Sequence, residues 1–198
     1  MKKRLFDIVF SIFVLLLFLP FGIIISLFII FSSPGGIFYR QVRIGINGKP
    51  FRIFKFRSMR NDSDSKGKLT VGMRDPRITA VGYFIRKYKL DEFPQFINVL
   101  RGEMSIVGPR PEVQEYVQLY TSEQRKVLNV KPGITDYASL YYFKENELLA
   151  QSQNPQKTYI EEIMPAKLKL NEKYLSDPTL AHDLKIMSKT FLKIININ

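Results

Sequence analysis

The sequence predicts a mixed α/β chain: a Pro-broken apolar membrane helix at the N-terminus, then a small α/β domain that includes a β-hairpin. Three observations lead there. Ile8 to Phe31 is 24 residues without a charge, and 20 of them are Leu, Ile, Val or Phe. A breaker cluster, Ser32-Ser33-Pro34-Gly35-Gly36, follows and divides residues 1–36 from residues 37–198. Beyond it, short strand-like runs give way to stretches with helical spacing.

The apolar segment is long enough and apolar enough to enter lipid. At roughly −0.3 to −0.6 kcal/mol per large apolar residue, its insertion sums to about −6 to −12 kcal/mol. A cleaved signal peptide should have a shorter apolar part and a small-residue cleavage site, and neither is found here. Pro20 lies mid-segment, where it lacks a donor and kinks a helix, and Gly22 loosens the same turn. Lys2, Lys3 and Arg4 precede the segment, while Arg40, Arg43 and Lys49 follow it, so flanking charge does not orient a span. A helix that crosses and a helix that bends at Pro20 and returns to the same face are therefore level at this point.

Ile37 to Ile44 and Phe51 to Phe56 read as two strands around Gly45-Ile46-Asn47-Gly48, a hairpin. Met59 to Asp75 is polar and without period, a long loop. Ile78 to Tyr88 has helical spacing, and Leu90 to Leu100 follows as a second helix closed by Arg101-Gly102. Met104 to Val107 is a short apolar run ending at Gly108-Pro109-Arg110-Pro111. Glu112 to Asn129, Thr158 to Leu175 and Leu180 to Ile195 are expected to be helical.

Composition excludes several chemistries. The chain has 198 residues, 45% hydrophobic and 24% charged, enough to build a core. With no cysteine, a disulfide scaffold, a thiolate zinc site and a cysteine nucleophile are out. A single histidine, His182, argues against a histidine metal cluster or a Ser-His relay. The net charge is +12, and the whole surplus lies in residues 1–101, with 18 basic and 6 acidic residues. That placement points to an anionic partner met by the first half of the chain.

Asp91-Glu92 stands out within that basic half. Asp91 falls at the expected start of the second helix, where free N–H groups and the helix dipole would keep it ionised. Arg86, Lys87 and Lys89 surround the pair. Acids set among cations suit a phosphorylated substrate: cations hold phosphate oxygens, a divalent metal neutralises the rest, and a carboxylate attacks. Ordinary helix capping explains the same two residues. Arg110, between two prolines, is presented with little freedom, as suits a bidentate phosphate contact, though it is also simply a turn. Arg52, Lys55, Arg57 and Arg60 alternate with Phe51, Phe54 and Phe56. That stripe fits nucleic acid or anionic headgroups, and the neighbouring apolar segment favours the membrane.

The runs KFRSM (Lys55 to Met59), DPRIT (Asp75 to Thr79), KLDEFPQFINVLRGEMSIVGPRP (Lys89 to Pro111) and KPGIT (Lys131 to Thr135) together resemble the bacterial sugar transferases. These are monotopic phosphoglycosyl transferases that begin glycan assembly on a polyprenyl phosphate. The resemblance extends over essentially the whole chain. It implies transfer of sugar-1-phosphate from a UDP-sugar to undecaprenyl phosphate with release of UMP. This is the first membrane step of polysaccharide or glycoprotein assembly. It also implies Asp91 as the nucleophile of a covalent intermediate and Glu92 as its partner acid. Mg²⁺ would be held at Asp91 and Glu92, with Lys55, Arg57, Arg86, Arg110 and Pro111 as substrate contacts. The partners implied are a UDP-sugar, read as an N-acetylated amino sugar, undecaprenyl phosphate and membrane lipid. Nucleic acid is not among them, and a homo-oligomer is left open. The resemblance favours a re-entrant helix, with the domain at the cytosolic face of the bacterial inner membrane.

The chain departs from the family pattern at several places. Lys89 stands where Ser is frequent before the acid pair, Phe93 where Leu is, and Leu19 where Ser precedes Pro20. After Thr135, Asp136-Tyr137-Ala138-Ser139 replaces the commoner Gly and its Gln-Val-Asn-Gly-like sequel, with Glu145 and Glu147 downstream. That region is expected near the sugar. Leu180, Leu184, Met187, Phe191 and Ile195 form a C-terminal apolar stripe beside Lys185, Lys189 and Lys193. It either packs on the domain or lies at the bilayer surface. His182 is expected to be a surface or capping residue without a catalytic part.

Overall fold

In a computed structural model, the chain is described over residues 2–61, 63, 69–72, 75–176 and 178–196. Part of the loop expected at Met59 to Asp75 lies outside the described residues. The apolar segment forms one helix, α1 (Lys2–Ser32), long and apolar enough to cross a membrane. Pro20 lies inside this uninterrupted run, so it does not divide the helix into two separate elements as its missing donor led us to expect.

Large apolar side chains such as Phe13, Leu17, Phe21, Ile24 and Phe28 are exposed along α1, and only Asp7, Ser11 and Ile29 are buried. The helix rests on the domain at both ends. Near its start, Asp7 accepts from Ser105 Oγ at 2.8 Å and from the Ile106 N–H at 3.2 Å. Arg4 donates to the carbonyls of Val99 and Leu100, and Lys3 pairs with Asp183. At its end, Arg57 donates to the carbonyls of Ile29, Ser33 and Pro34. Those carbonyls belong to the last turn and its exit, where no further N–H is available, so a buried guanidinium closes them.

Two strands follow, β1 (Phe38–Ile44) and β2 (Pro50–Phe56), paired antiparallel from Phe38 opposite Phe56 to Ile44 opposite Pro50. The connection holds Asn47 and Gly48 at positive φ, the conformation that Asn and Gly tolerate best. On β2 the basic-aromatic stripe separates. Phe54 and Phe56 enter the core, Arg52 is exposed, Lys55 turns into the cavity described below, and Arg57 goes to α1. These cations do not form one headgroup-facing surface, because Lys55 and Arg57 are taken up by partners inside the protein while Arg52 is exposed.

Helix α2 (Ala80–Lys87) starts at Thr79, whose side chain accepts from the Gly82 N–H. It is followed by Lys89 in the left-handed region, a 3₁₀ turn at Leu90–Glu92, and α3 (Gln95–Arg101), which Gly102 ends at φ 80°. The second expected helix is thus broken, and Asp91 lies in the 3₁₀ turn before it.

Strand β3 (Ser105–Val107) pairs in parallel with β4 (Gly133–Thr135), bringing two distant motifs together. Their backbones approach so closely that a Cβ on Gly133 would lie 2.1 Å from the Gly108 nitrogen. The stretch expected to be helical from Glu112 to Asn129 is a short α4 (Gln114–Gln118) and a 3₁₀ segment at Gln124–Asn129. Then come α5 (Tyr137–Tyr141), α6 (Glu145–Ala150), α7 (Pro155–Thr158), α8 (Met164–Ser176) and α9 (Leu180–Ile195). A π-helical turn at Tyr159–Ile163 joins α7 to α8. One apolar cluster gathers β1, α4 and α8 around Tyr159 and Leu168, and another gathers β2, β3 and α9 around Met104 and Ile186.

Candidate active site

A cavity of about 1330 Å³ opens between β2, α2, the 3₁₀ turn, the Arg110 turn and α9. Lys55, Arg86, Lys89, Asp91, Glu92 and Arg110 all line it. Residues separated by up to 55 positions therefore share one wall, and each element has a reason to be there. The Arg110 turn is fixed by the parallel pair: the Gly133 N–H donates to the Pro109 carbonyl at 3.0 Å, and the Gly108 N–H to the Thr135 carbonyl at 3.1 Å. Buried Asp136 caps α5 through the Ser139 N–H and accepts from the Arg110 N–H at 3.1 Å and from Asn171 at 2.8 Å.

The acid pair is asymmetric. Glu92 Oε1 accepts from Lys55 Nζ at 2.8 Å, and Arg110 forks across both carboxylate oxygens, Nη1 lying 3.3 Å from Oε2. Burial alone would raise the Glu92 pKa, but Arg110 and Lys55 outweigh it and hold the carboxyl well below the usual range. Arg110 is correspondingly raised, chiefly by Glu92. Burial lowers Lys55, against the opposing pull of Glu92.

Asp91 is 5% exposed, and among the described residues no hydrogen bond or ion pair holds its carboxylate. Burial pushes its pKa up, Lys55 pulls it down and Glu92 adds to the rise; the net shift is upward. This corrects the capping expectation, under which N–H groups and a helix dipole would have kept it low. The carboxylate is poorly solvated, and a poorly solvated carboxylate is a better nucleophile toward phosphorus.

The other expected contacts divide. Arg86 lines the cavity with Nη1 3.4 Å from Ser58 Oγ. Arg57 also lines the cavity, while its guanidinium donates to carbonyls at the end of α1. Pro111 lies behind the wall, its carbonyl accepting from Arg43 at 3.1 Å. Glu145 and Glu147, from the divergent region, do line the cavity. His182 Nε2 lies 2.6 Å from Tyr137 Oη and is not among the cavity's lining residues.

Sequence reasoning missed a second buried polar group on the same cavity. Glu112 accepts from Tyr159 Oη and lies 3.5 Å from Arg43, while Lys167 Nζ is 2.8 Å from Glu145. The π turn aims Tyr159 at Glu112, and no local pattern in the sequence announces such a turn.

The chain is similar in sequence to known proteins. The UDP-glucose:undecaprenyl-phosphate glucose-1-phosphate transferase of Escherichia coli (strain K12) is 38% identical over 196 residues, covering 96% of this chain and 39% of that protein. The exopolysaccharide production protein ExoY of Rhizobium meliloti (strain 1021) is 40% identical, covering 68% of this chain and 66% of its own. The UDP-N-acetylgalactosamine-undecaprenyl-phosphate N-acetylgalactosaminephosphotransferase of Aeromonas hydrophila is 39% identical over 71% of this chain and 34% of its own. The chain thus spans well under half of two of these relatives. The family profile described as bacterial sugar transferase matches residues 1–197, and the chain belongs to that family.

Proposed function

We propose that this chain is a phosphoglycosyl transferase that moves sugar-1-phosphate from a UDP-sugar to undecaprenyl phosphate and releases UMP. The observation that carries this is the unpartnered, buried Asp91 carboxylate beside a Glu92 already neutralised by Lys55 and Arg110. An Asp91 oxygen attacks the phosphorus that bears the sugar, the bond from that phosphorus to the UMP oxygen breaks, and UMP departs with the electron pair. A phosphate oxygen of the lipid then attacks the same phosphorus, and Asp91 leaves as carboxylate. The cations around the cavity screen the repulsion between a dianionic lipid phosphate and a diphosphate.

The donor set fits Mg²⁺. The ion takes one or two carboxylates and completes its shell with substrate phosphate oxygens and water. Asp91 supplies the unpartnered carboxylate, and Glu92 would join it only by giving up a contact to Lys55 or Arg110, which hold both of its oxygens. When bound, the ion would neutralise charge on the diphosphate.

The re-entrant placement of α1 is supported by its two anchored ends, and the cytosolic face is what the family resemblance implies. A helix of 31 residues rises about 46 Å, more than the roughly 30 Å hydrocarbon core. Were it to cross, its ends would lie on opposite sides of the bilayer, whereas here Asp7 and the Ile29 carbonyl are both held by residues of one domain. The donor sugar is read as an N-acetylated amino sugar, the kind in the Aeromonas relative's name; the Escherichia coli relative's name carries glucose. UMP release across a panel of UDP-sugars with undecaprenyl phosphate tests the activity, and isotopic phosphosugar retained on the protein without lipid tests the covalent step. A panel without UMP release would refute the first, and repeated failure to trap label under Mg²⁺ the second.

A further inference from the structure

We propose that the apolar end of the cavity, between α3 and α9, seats the isoprenoid chain of the lipid acceptor, with Lys89 and Lys193 flanking the entry of its phosphate. This rests on the transferase reading above and adds a chain-binding subsite to it.

The cavity lining is of two kinds. Cationic and polar groups line it with Asp91, and Phe10 of α1, Phe93 and Phe96 line it together with Leu184, Met187 and Phe191 of α9. Phe10, Phe96 and Met187 pack against one core cluster, so the two walls are close neighbours. The rings form a continuous row. Phe18 and Phe93 stack at 3.9 Å, Phe93 and Phe96 lie 6.1 Å apart, and Phe96 and Phe10 6.3 Å apart. Phe93 directly follows Glu92. The row therefore starts and finishes on α1, the helix that carries the exposed apolar surface, and passes beside the acid pair through Phe93.

The opposite wall is left open. Leu184 is 48% and Phe191 64% exposed, a cost that an α9 serving only as internal packing would avoid. Charge supports one occupant. Lys89 Nζ and Lys193 Nζ lie 5.2 Å and 5.7 Å from the centre of the same Phe143 ring, and Phe143 and Lys89 line the cavity. Lys193 is held there by the Leu140 carbonyl at 2.6 Å. A pair of cations beside an apolar trough suits an anionic head on a hydrocarbon tail. Of the two substrates, only the polyprenyl phosphate has such a tail.

The experiment compares acceptors of two chain lengths in detergent micelles, where attachment of the protein to a bilayer plays no part. The KM is measured for undecaprenyl phosphate and for farnesyl phosphate in the wild type, in the double variant Leu184→Ser/Phe191→Ser and in Lys193→Gln. Both apolar positions are exposed, so the double variant is expected to fold. Its KM for undecaprenyl phosphate should rise about tenfold, the effect of losing contact with a few isoprene carbons, and that for farnesyl phosphate by less than about threefold. Lys193→Gln should raise both alike. Equal shifts for the two chain lengths in the double variant would overturn the proposal. So would unchanged KM values for both acceptors in the double variant. A wild type that releases no UMP with either acceptor would instead overturn the transferase reading, and this subsite with it.

Discussion

Lys55 Nζ lies 2.8 Å from Glu92 Oε1, the oxygen that Arg110 also holds, while Asp91, one residue earlier, has no such partner among the described residues. Adjacent acids in one 3₁₀ turn are thereby driven apart in pKa, and separation of this kind assigns different tasks to chemically similar groups. Glu92 stays ionised and organises the cations. Asp91 is ionised only at a desolvation cost, which fits the nucleophile proposed above.

Asp91→Asn is therefore expected to abolish UMP release, by about 10³-fold or more, and at the same time to stabilise the fold at neutral pH. The sign follows from burial. The folded pKa of Asp91 is raised, so the native state binds more protons than the unfolded chain, and stability falls as pH rises through the folded value. An amide removes that penalty. Thermal melts of both proteins in the same detergent check it: a gain in Tm that shrinks as pH is lowered toward the ordinary Asp range supports the assignment, and a Tm loss at neutral pH contradicts it.

Glu92→Gln should behave oppositely. Its depressed pKa contributes stability that is present above the ordinary Glu value of 4.5 and lost as pH falls through the folded value. Losing the charge leaves Lys55 and Arg110 without their common counterion. With about a third of Arg110 still exposed, the cost is set at roughly 2 kcal/mol, below the value for a fully buried pair. Denaturant unfolding at pH 7, repeated below pH 4.5, should show the gap to wild type narrowing.

Arg57 lies in a sequence motif and was expected at the substrate, yet its guanidinium holds the exit of α1 through the Ile29, Ser33 and Pro34 carbonyls. Arg57→Met is expected to cost about 2–3 kcal/mol by leaving buried carbonyls unpaired, and to expose the chain near residue 35 to protease. Limited proteolysis in micelles reads this directly. A variant with an unaltered cleavage pattern and a donor KM raised about tenfold would return Arg57 to the substrate.

The apolar run, the two strands and the acid pair were legible because each is written in neighbouring residues. What was not legible depends on distant partners. Nothing near Asp91 indicates that Lys55 and Arg110 will take Glu92 alone, and nothing near Arg57 indicates that the end of α1 will come to it. The break at Lys89 was hidden because the stripe Leu90, Phe93, Ile97, Leu100 keeps a helical period through a 3₁₀ turn and into α3. Pro20 was read as a kink, and α1 runs through it as one helical element.

Gly82 shows how narrowly the cationic wall is set. A Cβ there would lie 1.8 Å from the Ser58 carbonyl oxygen, closer than any real contact, and the atom it meets is backbone rather than a side chain able to swing away. Gly82→Ala must therefore push α2 off the end of β2. Arg86 rides on α2 with Nη1 3.4 Å from Ser58 Oγ, so the same displacement carries it away from the cavity wall that Lys55 and Asp91 share. Overpacking of this kind costs about 1–3 kcal/mol. The functional effect should be separable from it: well below its own Tm, the variant is expected to show a donor KM raised about tenfold, as fits a lost phosphate contact. Steady-state kinetics at several temperatures decide the matter. If KM returns to the wild-type value wherever the variant is fully folded, the close approach at Gly82 stabilises the domain without positioning Arg86.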